Sequence, residues 1–225
     1  MTRTLAQEII GEYGQDMLDL VLLVYVNFYN SELEIIDLCA KWIPRRENLT
    51  EKSYLLRHAS DEVIHAELFK TGIEHLGIPW DEIDQRQFRI RDIDQRFEKL
   101  FDSDDELEVL IGLNLYAEGV LALEEIEQLG QSKPRYFKDF PRICRDEKTH
   151  VAFGLKVAKR LIAQSAENRA RAKSYCDWYH DHLNGYLGGE LSAPLQTAIK
   201  HGFITADYVD RTRSRFTNVM SELGL

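Results

Sequence analysis

Apolar positions recur every three to four residues along most of this 225-residue chain, a spacing typical of amphipathic helices. The five prolines all lie where the periodic segments stop, because proline is excluded from helix interiors. No segment alternates with the period of two that marks a strand. The pattern therefore predicts an all-α fold, with main helices over residues 16–43, 51–77, 104–129 and 135–164.

The lengths of the connections predict how these helices pair. The turns within the first pair and within the second pair are short, whereas residues 80–103 form a long, charged connection. Two antiparallel helix pairs joined by one crossover are typical of a four-helix bundle. We expect a single domain over residues 1–225, with the bundle at about 16–164 and additional C-terminal helices at 165–225.

The composition disfavours several classes of protein. The chain is 44% hydrophobic and 29% charged, which is ordinary for a globular protein. The net charge of −10 disfavours nucleic-acid binding, which relies on lysine and arginine contacts to phosphate. The most apolar run, residues 18–29, contains Asp19 and Asn27 and is too short for a membrane span. Three separate cysteines and no signal-peptide pattern favour a cytoplasmic location.

Two strings of the form D-E-x-x-H, Asp61–His65 and Asp146–His150, contain the candidate chemistry. Residues three apart lie on one face of a helix, so the glutamate and histidine of each string project together. Glu32 precedes Glu62 by 30 residues, and Glu118 precedes Glu147 by 29 residues. The chain thus contains two copies of one pattern, a helix with a glutamate followed by a helix with D-E-x-x-H.

The doubled pattern matches the ligand set of ferritin-like dimetal proteins. Its six candidate ligands are Glu32, Glu62, His65, Glu118, Glu147 and His150. The four carboxylates would balance the charge of two divalent cations, which allows such a cluster to be buried. Oxygen and imidazole ligands without a thiolate favour iron or manganese. We therefore predict a ferritin-like bundle that binds two iron ions, with manganese or a mixed Mn/Fe pair as variants.

Two glutamates of the first long helix compete for one ligand position. The residues that share a helix face with Glu32 are apolar, among them Tyr25 and Ile35, whereas Glu34 shares its face with polar residues such as Lys41. Helical periodicity therefore predicts that Glu32 is the buried ligand and Glu34 the solvated acid.

The segments around these ligands resemble the catalytic subunit of bacterial phenylacetyl-CoA epoxidase, a di-iron monooxygenase component. The similar segments are Ser31-Glu32, Trp42-Ile43, Asp61-Glu62-x-x-His65, Leu76-Gly77, Glu118-Gly119 and Ile143-Cys144-x-Asp146-Glu147-x-x-His150, in the same order. The resemblance covers about residues 20–160 and implies that the six candidate residues are iron ligands. That family commonly has aspartate where this chain has Glu118. The chain is also similar in length and ligand pattern to aldehyde-deformylating oxygenase.

Together these patterns predict a non-haem di-iron oxygenase that activates O₂ and oxidises a small, partly hydrophobic organic substrate. Hydroxylation, N-oxygenation, epoxidation and desaturation all fit this ligand set. The sequence has no flavin, dinucleotide or iron–sulfur motif, so we expect an external electron donor, a reductase or ferredoxin, and a monomer or homodimer. The alternative is an iron-handling ferritin-like protein, a ferroxidase or peroxide scavenger.

Several residues near the ligands are weaker candidates. His58, one turn before Glu62, is more simply a core histidine than a seventh ligand. Glu125 follows Glu118 by two turns and is an extra ligand, a proton relay or part of an acidic surface run at residues 124–127. Tyr116 is more simply a core residue than a partner of a ligand.

Overall fold

The computed structural model describes residues 3–189 and 191–225, and every regular element in that part of the chain is helical. The main elements are α1 (Leu5–Tyr13), α2 (Gln15–Trp42), α3 (Leu49–His75), α4 (Arg91–Asp102), α5 (Glu106–Val109), a π-helix (Leu110–Ala122), α6 (Leu123–Ser132), α7 (Phe140–Ile162), α8 (Ala166–Gly188), α9 (Ser192–Lys200) and α10 (Tyr208–Leu223). Short 3-10 turns cover Ile43–Arg45, Trp80–Glu82 and Gln85–Phe88. The all-α prediction is confirmed. Within the described residues, no helix combines the length and apolar character that crossing a membrane requires.

Internal contacts group the chain into two units, and each unit contains one copy of the doubled pattern. The first unit is Met1–Phe97 with Pro134–Asp139, and the second is Glu98–Lys133 with Phe140–Leu225. Glu32 and the first D-E-x-x-H string belong to the first unit, and Glu118 and the second string belong to the second unit. The expectation of a single domain over residues 1–225 stays a prediction.

In the first unit, α2 and α3 are joined by a short turn and pack against each other. Helix α2 stops at Trp42 because Pro44 cannot continue its hydrogen bonding. The side chain of Asn48 accepts the backbone N–H of Thr50 at 2.8 Å and so caps α3. A cap of this kind stabilises a helix by about 1 kcal/mol. The short turn therefore sets α2 and α3 side by side, as the sequence predicts.

A glycine allows these two helices to come close. A Cβ atom at Gly72 would lie 2.3 Å from Cε1 of Tyr25, well inside van der Waals contact. The Tyr25 ring packs edge-on against Phe69, and Phe69 stacks on Phe28 with ring centroids 5.0 Å apart. The Tyr25 hydroxyl donates to the carbonyl of Tyr136 at 2.5 Å. Gly72 thus makes room for an aromatic group that fills the interior of the first unit.

The long connection after α3 is held against α2 by one side chain. The amide of Asn27 donates to the carbonyl of Phe88, and its oxygen accepts the backbone N–H of Ile90 at 3.1 Å. Because Asn27 is buried, these bonds satisfy backbone groups that water does not reach. The connection is therefore anchored just before α4 begins.

In the second unit, one helical stretch runs from Glu106 to Ser132, with the π-helix at its centre. The Asp105 side chain caps it by accepting the backbone N–H of Leu107 at 2.9 Å. Every residue from Leu107 to Leu121 is buried. A helix that is buried on all sides needs partners all round, and the C-terminal helices supply some of them.

Three contacts pack the C-terminal extension onto this stretch. A Cβ at Gly112 would lie 1.9 Å from the hydroxyl oxygen of Tyr179 in α8. Tyr116 is hydrogen-bonded through its hydroxyl to Nδ1 of His182 at 2.8 Å. Near its end, Ser132 donates through Oγ to the carbonyl of Phe203 at 2.5 Å. The extension is therefore an integral part of the second unit.

Candidate metal-binding clusters

The first unit brings three of the predicted ligands together in what we call the first cluster. Helix α2 contributes Glu32, and α3 contributes Glu62 and His65. These side chains are 2%, 0% and 0% exposed. One ligand atom from each lies within 4.8 Å of the ligand atoms of the other two. This separation allows the three donors to bind one metal ion.

Within the first cluster, Glu62 lies between two histidines of its own helix. Its Oε2 lies 2.8 Å from Nδ1 of His65, and its Oε1 lies 2.9 Å from Nε2 of His58. His58 is fully buried. Its burial agrees with the expectation of a core histidine, but the sequence did not predict its direct contact with a candidate ligand. The spacing His-x-x-x-Glu was the available signal, since residues four apart share a helix face.

The competing acid of α2 lies in a different environment. Glu34 is half-buried and pairs with Arg89, whose Nη2 lies 3.2 Å from Oε1. Burial raises the pKa of Glu34, while the Arg89 guanidinium acts in the opposite direction. The helix phase predicted from the sequence is therefore the one observed, with Glu32 inside and Glu34 facing an arginine.

The second unit holds the other three predicted ligands, which we call the second cluster. The π-helix contributes Glu118, and α7 contributes Glu147 and His150. They are 2%, 2% and 1% exposed. Ligand atoms of Glu118 and His150 lie within 4.8 Å of each other, and Nδ1 of His150 lies 3.5 Å from Oε2 of Glu147.

A hydrogen-bond donor orients Glu118. The amide of the buried Asn114 donates to Oε2 of Glu118 at 3.0 Å. Gly154 of α7 makes space for it, because a Cβ at that glycine would lie 2.3 Å from Cβ of Asn114. The sequence did not predict a role for Asn114. A buried amide four residues before a buried acid was the signal.

The helix that carries Glu118 is wider than an α-helix. The backbone N–H of Leu123 bonds the carbonyl of Glu118, five residues earlier, and this pattern extends over Leu110–Ala122. Segments of this kind are rare and occur often at functional sites. The prediction of one regular helix over 104–129 is therefore wrong at its centre. The widening changes which side chains lie one turn from Glu118.

Two acids that follow Glu118, Glu124 and Glu125, lie in different environments. Glu124, which the sequence places in an acidic surface run, is 1% exposed. Its Oε1 accepts a hydrogen bond from Nε of Arg211 at 2.5 Å. Hydrogen bonds from Gln128, Arg211 and Arg215 overcome the effect of burial and lower the pKa of Glu124. Glu125 is half-buried, and desolvation raises its pKa to about 7. The surface prediction is thus wrong for Glu124.

The donor chemistry of both clusters fits a divalent first-row metal ion. Each cluster offers two carboxylates and an imidazole, a set that suits iron and manganese. Donor atoms of Glu32 and Glu62 lie within 4.8 Å of each other in a site from which water is excluded. Two ionised carboxylates repel at this distance, and a cation between them replaces the repulsion with attraction. The buried clusters of the chain are able to hold two metal ions.

The chain is similar to solved structures of R2-like ligand-binding oxidases. A point mutant with an aerobically reconstituted Mn/Fe cofactor matches with a TM-score of 0.77 and 17% identity, over 99% of this chain and 87% of that one. Another mutant, with an anaerobically reconstituted Mn/Fe cofactor, matches with a TM-score of 0.78 and 16% identity, over 99% and 86%. An R2-like ligand-binding oxidase without metal cofactor matches with a TM-score of 0.74 and 17% identity, over 99% and 89%.

No protein-family model matches the chain, and no curated protein sequence matches it. At these identities the structural similarity shows the fold alone. The resemblance to the phenylacetyl-CoA epoxidase subunit stays a hypothesis. The fold prediction is confirmed, since the described residues are helical throughout their regular elements and match over nearly the whole chain. The chain therefore has the ferritin-like helical fold of the R2-like ligand-binding oxidases.

Proposed function

We propose that this protein is a dimetal oxidase and that its metal ligands come from the two buried clusters. The proposed ligands are Glu32, Glu62, His65, Glu118, Glu147 and His150. The observation that carries the proposal is the presence of one buried Glu/His cluster in each unit of a ferritin-like fold. Structural relatives with this fold were solved with a Mn/Fe cofactor, which supports two iron ions or a Mn/Fe pair here.

When bound, the metal pair supplies the electrons and the open coordination positions that O₂ activation needs. The protein positions the ligand side chains and excludes water from them. All six ligands are at most 2% exposed, so water is kept from the donor atoms. In the second unit, the amide of Asn114 fixes one oxygen of Glu118 and leaves the other to bind. Such supporting bonds commonly change metal affinity by about 10–100-fold when they are removed.

Aromatic side chains beside Glu32 support an organic substrate with an apolar part. Phe28 and Tyr29 lie one turn before Glu32 and are half-buried. The ring of Tyr29 packs against that of Trp80 with centroids 4.5 Å apart. We propose that the oxidase is a monooxygenase acting on a small, partly hydrophobic molecule. An external reductase or ferredoxin would return the electrons, and the protein would work in the cytoplasm.

The two glutamates of α2 provide a matched test of the ligand assignment. After anaerobic loading with Fe(II) and desalting, wild type should retain about two iron ions per chain. Glu32→Ala should lose about half of the iron or more, because it removes a buried carboxylate ligand. Glu34→Ala should retain all of it, because that acid faces Arg89. Metal analysis decides, and iron loss in Glu34→Ala with retention in Glu32→Ala would refute the assignment.

A second measurement separates an oxidase from a ferroxidase. Stopped-flow addition of O₂ to protein titrated with Fe(II) should oxidise about two Fe(II) per chain and then stop until a reductant is added. Light scattering should show a monomer or dimer. A closed cage that oxidises tens of iron ions per chain without reductant would replace the oxidase proposal with the ferroxidase alternative.

A further inference from the structure

Glu62 has an imidazole nitrogen beside each of its oxygens. The separations are 2.8 Å from Oε2 to Nδ1 of His65 and 2.9 Å from Oε1 to Nε2 of His58. All three side chains are fully buried on α3. His58 therefore has the same relation to one oxygen that the candidate ligand His65 has to the other.

Both separations fit two neighbouring ligands of one metal ion. Imidazole nitrogens and carboxylate oxygens lie about 2.1 Å from a divalent first-row ion, so two of them at right angles are about 3.0 Å apart. Each oxygen of Glu62 could therefore hold a metal ion together with the histidine nitrogen beside it.

The second motif provides the comparison. The residue four positions before Glu147 is Ile143, which is fully buried. An apolar side chain is therefore suitable at this position of the repeated pattern. A buried imidazole in its place is costly unless its nitrogens have partners, so the histidine in the first motif indicates a specific role.

We propose that His58 is a seventh metal ligand, which would hold a metal ion together with Oε1 of Glu62. This inference rests on the proposed function, because it requires two bound ions. Three histidines, His58, His65 and His150, would then be shared between two ions, so one ion would have two imidazole ligands. Imidazole suits iron better than manganese, for which oxygen ligands are preferred. The additional histidine of the first motif would thus bias the metal pair toward iron.

The test counts metal-bound histidines directly in protein loaded with Co(II). Each imidazole on Co(II) gives one solvent-exchangeable N–H signal that is strongly shifted in the proton NMR spectrum. Wild type should show three such signals, and His58→Gln should show two. His75→Gln is the matched control, because His75 is an exposed histidine of the same helix, and it should show three. His58→Ile copies the second motif and should also show two.

Glutamine retains an N–H donor near Glu62, so His58→Gln distinguishes a ligand from a hydrogen-bond donor. Fe(II) affinity should fall by about 10-fold or more for one of two ions in both His58 variants. Two shifted signals in wild type, unchanged in His58→Gln, would overturn this inference and leave the dimetal oxidase in place. Wild type that binds neither Co(II) nor Fe(II) would instead refute the proposed function. Because the wild-type count needs no variant, it decides even if His58 variants fail to fold.

Discussion

The two copies of the Glu and D-E-x-x-H pattern present similar donors on different backbones. In the first unit, the candidate ligands lie on two regular α-helices, and a glycine contacts an aromatic ring. In the second unit, Glu118 lies on a π-helix, and a glycine contacts the Asn114 amide. The second copy also has a helical extension packed on it. The repeat therefore specifies the ligand chemistry and leaves the supporting structure free to differ.

The largest expected effect concerns how the extension is attached. Glu124 is buried and paired with Arg211 and Arg215 of α10, whereas Glu34 of the first unit is half-buried and paired with Arg89. Glu124→Ala should lower the free energy of unfolding by about 3 kcal/mol, below the upper range for a broken buried pair because the guanidinium groups are partly exposed. Glu34→Ala should lower it by about 1 kcal/mol or less.

Urea unfolding of the metal-free variants measures both values. The comparison tests whether the second copy depends on its extension. Equal losses in the two variants would show that the buried Glu124 pairs contribute no more than the half-buried Glu34–Arg89 pair.

A smaller effect is expected at the glycines. Gly72→Ala and Gly154→Ala each place a Cβ 2.3 Å from a buried atom, of Tyr25 and Asn114 respectively. Overpacking of this kind costs about 1–3 kcal/mol and exceeds the helix-propensity gain of about 1 kcal/mol. Only Gly154→Ala should also weaken metal binding, because it displaces the amide that holds Glu118.

Thermal unfolding and Fe(II) titration of the same samples test this difference. Gly185→Ala is the control, because α8 leaves open space around that glycine. It should be neutral or stabilising by up to about 1 kcal/mol. Equal weakening of metal binding by the alanines at 72 and 154 would mean that Asn114 has no special role.

The smallest effect is a pH dependence in the second unit. Burial raises the pKa of Glu125 from 4.5 to about 7. Between these values the folded protein retains a proton that the unfolded chain has released, so its stability falls as pH rises through this window. Glu125→Gln should flatten this part of the profile. The half-buried carboxyl is partly screened by water, so the slope should be modest.

Unfolding free energies measured at intervals from pH 4 to 8 give the slopes for wild type and variant. Glu34→Gln is the matched acid of the first unit, where Arg89 opposes the effect of burial on the pKa. It should change the profile less than Glu125→Gln does. Parallel profiles for wild type and Glu125→Gln would contradict the prediction.

Helical periodicity was sufficient to predict the positions that face the interior. It placed Glu32 in the interior, because α2 has one apolar stripe and a regular turn, but it predicted Glu34 to be solvated, whereas Glu34 is half-buried beside Arg89. Helical periodicity failed in the second unit, where the helix that contains Glu118 has no separate apolar stripe. From Leu107 to Leu121 every residue is buried, so the sequence has no polar face from which to read the turn, and the π-helix could not be recognised.

Contacts between distant segments could not be predicted from the sequence either. Glu124 looked like a surface acid because its partners, Arg211 and Arg215, lie 87 and 91 residues later in the chain. His58 looked like a core histidine because periodicity predicts its face but not its distance from Glu62. At both positions the residue type indicated a polar role. The sequence did not indicate which partner each side chain contacts.

The burial of the π-helix on every side has a consequence for mutational tolerance. An amphipathic helix has a water-facing side where most substitutions are neutral, and that side lets a sequence drift without loss of the fold. The stretch from Leu107 to Leu121 has no such side. Each of its positions is restricted in both volume and polarity. A deep mutational scan should therefore show an unbroken intolerant block there, in place of the three-to-four-residue rhythm of α2 and α3.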